Sequence, residues 1–158
     1  MKDFTTAFTY HKKIIFSSGY RPNCLSVGSR TGQEVIALEY MGAKATGIDL
    51  FYFPPHVQKG DMHNLNFEDN TFDFVFTNVL DHALHIEKAV KEIIRVTKVN
   101  GYVLIHFVNG YNTDKYSANQ MHDVKELKKY IGLPIVSERS LHPTLNACNY
   151  ELLVKKLT

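Results

Sequence analysis

The residues whose types and spacing bear on chemistry are concentrated in two short stretches. Ser26-Val27-Gly28-Ser29-Arg30-Thr31-Gly32 reads as a buried strand that breaks into a small-residue turn and then opens a helix. Gly47-Ile48-Asp49-Leu50 reads as the next strand, ending in a carboxylate. A strand–glycine turn–helix–strand–acid unit is how α/β proteins hold an adenosine-bearing cofactor. The turn lets backbone approach the ligand, and the acid accepts from ribose hydroxyls.

The elements that must position these stretches follow from periodicity and punctuation. Phe4, Phe8 and Ile15 recur at helical spacing, giving an amphipathic leader within residues 1–20 that packs near the cleft. Cys24–Val27 is a short apolar strand after Pro22. Thr31 and Glu34 have capping-box spacing, Val35, Leu38 and Met41 line one helix face, and Gly42 ends it. Ala45–Leu50, Val57–Met62 and Phe72–Thr77 read as the next strands. The two prolines of Phe51-Tyr52-Phe53-Pro54-Pro55-His56 leave little room for a helix between the second and third. Ile86, Val90, Ile93 and Val96 mark a helix closed by Asn100-Gly101, and Tyr102–Val108 is an apolar run suited to a strand covered on both faces. A helix is expected over Ser117–Ile131, ended by Gly132 and Pro134. Ile135–Ser140 and Tyr150–Leu157 then form a hairpin, which must be antiparallel because no crossover separates them. The fold expected is α/β: a single domain over 1–158 with a doubly wound, mostly parallel seven-stranded sheet and a C-terminal antiparallel hairpin strand.

Bulk composition excludes several classes. A 158-residue chain with 44% hydrophobic and 22% charged residues is an ordinary globular one. Its net charge of +2 lacks the basic bias of a dedicated nucleic-acid binder. Lys12-Lys13, Lys128-Lys129 and Lys155-Lys156 read as solvated surface. Cys24 and Cys148 fall in apparent strands and suit buried, reduced thiols, and no stretch resembles a signal peptide or membrane span. The setting expected is the cytoplasm. Of the eight histidines, only His63, near Asp61, and the pair His82 and His85 have close potential co-ligands. Neither set fits a zinc pattern, and no metal is expected.

Five ordered blocks together resemble the class I S-adenosylmethionine-dependent methyltransferases of the small methyltransferase-domain type. They are Leu25–Gly32, Gly47–Leu50, Gly60-Asp61-Met62, Phe67–Asn78 and Glu92–Gly101, and the resemblance covers roughly residues 22–157. It implies a Rossmann-like methyltransferase fold, S-adenosylmethionine as cofactor and S-adenosylhomocysteine as product. It implies that Gly28, Ser29, Arg30, Thr31 and Gly32 lie under the methionine moiety, and that Asp49 takes the ribose hydroxyls while Leu50 packs on adenine. It further implies that Asp61 accepts from the adenine amino group, the Met62 amide donates to the ring, and Asn78 contacts the methionine moiety.

The chain departs from that pattern at Ser26, where the family carries an acid, and at Arg30, where it carries a glycine. Arg30 either pairs with the cofactor carboxylate or points to solvent. Phe51, Tyr52 and Phe53 either cover the adenine or fill core. Beyond the fourth strand, Asp81, His82 and His85 are placed to face a methyl acceptor. Either His82 acts as a base oriented by Asp81, or Asp81 caps the following helix. His106, inside an apolar strand, reads as a satisfied core histidine. Tyr111 and Tyr116, in the Asn109–Asn119 loop, are candidates for an acceptor pocket, and a second copy of the chain would complete it. The acceptor expected is a small molecule. The alternative is a catalytically inactive S-adenosylmethionine-binding or scaffolding domain that works with a partner.

Overall fold

The computed structural model describes residues 2–19, 21–110, 123–145 and 148–158. The chain runs α1 (Lys2–Tyr10), α2 (Lys12–Ile15), β1 (Asn23–Val27), α3 (Gln33–Tyr40), β2 (Lys44–Asp49), β3 (Val57–Lys59) and β4 (Phe72–Thr77). A 3-10 turn (Leu80–His82), α4 (Ile86–Val96), β5 (Thr97–Phe107), α5 (Val124–Ile131), β6 (Ile135–Leu145) and β7 (Cys148–Lys155) follow. All seven strands form one sheet in the order β3-β2-β1-β4-β5-β7-β6. β1 to β5 are parallel, and β7 is antiparallel to both β5 and β6. Strand order reverses between β1 and β4, which makes the crevice beyond their carboxyl ends the place where open α/β sheets take ligands.

Alternation along the strands sorts the core into two layers. Leu25, Val27, Val75 and Ile105 pack with Val90 and Ile93 of α4 and Leu127 and Ile131 of α5. Cys24, Phe74, Phe76, Leu104 and Leu153 pack on the other face with Ala37 and Leu38 of α3 and with Phe4 and Phe8 of α1. The leader is thus part of the core: Phe8 meets Phe76 edge-on at 5.1 Å between centroids. A buried polar cluster adds to the hold. Glu151 of β7 accepts from His11 Nε2, between α1 and α2, and from His106 Nε2 of β5, each at 2.8 Å. It also accepts from Arg139 Nε of β6 at 2.6 Å.

Several boundaries and roles differ from the expectations. α4 runs straight into β5, so Asn100-Gly101 does not close the helix. The pair forms an irregularity within the strand, with Asn100 at φ 65°. A Cβ on Gly101 would come within 2.8 Å of the Lys98 carbonyl oxygen, which explains the glycine. β3 is only Val57–Lys59 because Gly60 to Asn64 turn away toward the cleft. α5 starts at Val124, capped by the Asp123 side chain accepting from the Lys125 amide, and the earlier part of that expected helix lies outside the described residues. Tyr111 and Tyr116 lie outside them too. Lys156 is not surface: it is 8% exposed, and its ammonium donates to Asn70 Oδ1 and to the carbonyls of Ile94 and Thr97. It thereby satisfies the bare carbonyl end of α4. Cys24 and Cys148 are buried and unbridged.

Candidate functional site

β1 ends at Val27 and the chain turns sharply. The Gly28 and Ser29 amides both donate to the Ile48 carbonyl, which ties the turn to β2. Gly28 holds φ 84°, and a Cβ there would sit 2.2 Å from Val79 Cγ2. Only glycine lets the loops after β1 and β4 come this close. Arg30 is also left-handed, at φ 36°. Its amide donates to Asp49 Oδ2 at 3.0 Å, and its carbonyl accepts from the Phe53 amide at 3.0 Å. The Phe51 amide donates to Asp49 Oδ1 at 2.8 Å. One carboxylate at the end of β2 therefore braces the loops on both sides. Each of its oxygens takes one backbone N–H here and has a lone pair left for a further donor.

Beyond these strand ends lies a cleft of about 250 Å³, lined by Gly28, Asp49, Leu50, Phe51, Met62, Val79 and His82 among others. The cleft wall brings together Gly28, Asp49, Leu50, Phe51, Met62 and His82, all singled out in the sequence, and adds Val79. It does not bring the remaining candidates into that lining. Ser29 is buried and donates to the Ser26 carbonyl, Thr31 and Arg30 are exposed, and Asn78 is half-buried beside the cleft mouth residue Val79. Asp61 turns one oxygen to its own neighbour, accepting from the His63 amide at 2.9 Å and from His63 Nδ1 at 2.7 Å. His63 Nε2 in turn accepts from the His85 amide at 3.2 Å, at the start of α4.

Three local expectations are overturned. The Thr31–Glu34 capping box does not form, because Gly32, in the left-handed region, takes the N-cap position of α3 and leaves Thr31 one residue too early. Glu34 instead points into the protein. It is 6% exposed, and burial, aided by the like charge of Asp49, pushes its carboxyl up to about 7. Its Oε2 and the Ser26 hydroxyl are buried without hydrogen-bond partners. Phe51, Tyr52 and Phe53 are not core fill: they are 74%, 42% and 59% exposed along the rim. Asp81 does not cap α4, whose N-cap is His85. It lies instead in the 3-10 turn with its Oδ2 at 3.4 Å from His82 Nε2.

His106 is fully buried, and its Nε2 donates to Glu151. Its Nδ1 has no partner, so it is only half satisfied. Among the described residues no three histidines, cysteines or carboxylates are grouped as metal ligands. Val79, and the burial of Glu34, have no place in the sequence reading. Val79 matters only through its contact with Gly28, a long-range approach with no local signal. The helical phase of Glu34, one turn before the inward Ala37 and Leu38, was a readable signal.

The fold, with its antiparallel seventh strand and a cleft at the switch point, is the Rossmann-like α/β fold of the methyltransferase kind. The methyltransferase-domain family matches residues 25–105, just over half of the sequence, and the chain belongs to that family. Similar solved structures include the YcgJ protein of Bacillus subtilis, at 15% identity over 100% of both chains with a TM-score of 0.71. A SAM-dependent methyltransferase of Aquifex aeolicus is 18% identical over 92% of this chain and 89% of its own, with a TM-score of 0.68. The complex between the Haloferax volcanii Trm112 methyltransferase activator and a methyltransferase contains a chain 14% identical over 98% of this chain and 90% of that one, with a TM-score of 0.75. At these identities the likeness is one of fold. No curated protein matches the sequence.

Proposed function

We propose that the protein is an S-adenosylmethionine-dependent methyltransferase acting on a small-molecule acceptor. The observation that carries this reading is the cleft at the β1/β4 break, where a side-chain-free Gly28 faces a strand-end carboxylate with acceptor capacity to spare. Those residues fit the cofactor. Gly28 presents bare backbone on the cleft wall, with Val79 packed where a Cβ would sit, and Asp49 offers paired acceptors to a ribose diol. In this reading Gly28 to Gly32 support the methionine end, and Leu50, Met62 and the rim aromatic Phe51 enclose the adenine. Asp61 accepts from the adenine amino group with capacity beyond its bonds to His63, and Asn78 borders the methionine end. When bound, the cofactor supplies an electrophilic methyl carbon on a sulfonium. The chain's own work is then alignment and exclusion of water, which in-line displacement rewards strongly.

Two unbridged buried cysteines agree with a cytoplasmic setting, and among the described residues no helix is long and apolar enough to cross a membrane. Sedimentation of the active protein tests whether a second copy completes the acceptor side. Parallel calorimetric titrations with S-adenosylmethionine, S-adenosylhomocysteine and NAD test the cofactor. Micromolar binding of the two sulfur nucleosides and none of NAD is expected; heat from NAD alone, or from none of the three in folded protein, overturns the reading.

A further inference from the structure

We propose that His82 accepts the acceptor's proton during methyl transfer, with Asp81 positioning it. The acceptor is then a nucleophile that must lose a proton, such as a hydroxyl, thiol or N–H group. The inference rests on the cofactor reading above and deepens it.

Three observations carry it. His82 reaches the cleft from the turn after β4 and shares its wall with Gly28 and Asp49, so an imidazole stands at the switch point itself. The Asp81 carboxylate stands beside it on the same turn, with its Oδ2 at 3.4 Å from His82 Nε2, close enough to stabilise an imidazolium. Of the other imidazoles, the exposed His85 does not line the cleft, and two more are committed to structure. His63 bridges Asp61 and the start of α4, and His106 is buried against Glu151. His82 by contrast keeps 41% of its side chain exposed, a route for the proton to bulk water.

The step balances without a further reactant. The acceptor's lone pair closes on the methyl carbon while the electrons of the carbon–sulfur bond return to sulfur, leaving a neutral thioether. The acceptor's proton passes to a ring nitrogen of His82, and then to water. Among the described residues, Asp81 stands beside His82 on its own turn and Asp49 shares the cleft wall with it. Cys148 on β7 faces Asp81: burial, with the charge of Asp81 adding to it, pushes its thiol up to about 12.

The test needs no known acceptor. Histidine-labelled protein is titrated by NMR while saturated with S-adenosylmethionine or with S-adenosylhomocysteine, the His82 signal being assigned with His82→Gln or, should that variant fail to fold, with His82→Asn. The two ligands differ by a methyl group and a positive charge at sulfur. If His82 faces the reacting centre, its midpoint with S-adenosylmethionine is lower by about half to one pH unit, the size of a unit charge a few ångströms away. Asp81→Asn lowers the midpoint with either ligand. Equal midpoints with both ligands overturn the proposal while leaving the cofactor reading intact. Binding of neither ligand removes the cofactor reading, and the proposal with it.

Discussion

Asp49 and Glu151 are carboxylates on strands of one sheet, and the chain treats them differently. Asp49 stands at the tip of β2 on the cleft wall, where each oxygen takes a single backbone amide. Glu151 stands inside β7 at 1% exposure and takes His11, His106 and Arg139, the last through both Nε and Nη2. Burial alone would push the Glu151 carboxyl up, but these donors hold it far below the usual range. A carboxylate saturated by side chains from several elements joins those elements and has nothing left for a ligand. One held by backbone at a strand end is fixed in place and still open. Saturation distinguishes the two better than charge or burial does.

Removing the saturated member has the largest expected effect. Glu151→Ala leaves Arg139 and two imidazoles unpaired in and near the core, and should cost about 3–5 kcal/mol in urea unfolding. Because the folded carboxyl titrates lower than the unfolded one, its contribution is present above pH ~4 and is lost as pH falls through the folded value, so the wild-type protein should lose stability on acidification while the variant changes less there. Asp49→Ala should do the reverse: near-native stability with nucleoside affinity about a hundredfold weaker by calorimetry, since two hydrogen bonds to a charged group disappear. Unchanged affinity in that variant would place the cofactor elsewhere.

Glu34 sharpens the comparison from a third side, being buried yet unsaturated. Its folded carboxyl titrates near 7 rather than 4.5, so the native state holds a proton that the unfolded chain releases between those values. Its stability contribution is complete at low pH and falls as pH rises to about 7. Glu34→Gln should therefore gain about 3 kcal/mol over wild type at pH 8 and nothing at pH 4, as read from paired urea curves. An equal effect at both pH values would mean that a partner compensates the charge.

The same distinction explains what the sequence made legible. The cleft was readable because its parts are local: a glycine turn fixes its own backbone, and an acid at a strand end announces where the strand stops. The missing helix after β2 was readable from Pro54-Pro55. The Glu151 cluster was not, because His11, His106 and Arg139 meet only through the sheet order, and that placement of β7 between β5 and β6 has no sequence signal. Lys156 reads as surface by its type, whereas its partners Asn70, Ile94 and Thr97 lie far back in the chain. Asp81 had the residue type of a helix cap but sat too early to serve α4. Its pairing with the adjacent His82 was legible as an alternative, but the 3-10 turn that holds the two was not, because no periodicity reveals it.

β7 is the last strand in chain order, yet it occupies an interior place in the sheet. During synthesis the edge of β5 therefore stays bare after five strands have already paired, and the carboxylate that anchors His11 has yet to be made. An unpaired edge invites pairing with other chains. A chain in which β7 has yet to pair is thus at its most sticky, and removal of that strand should favour aggregation over a partly working fold.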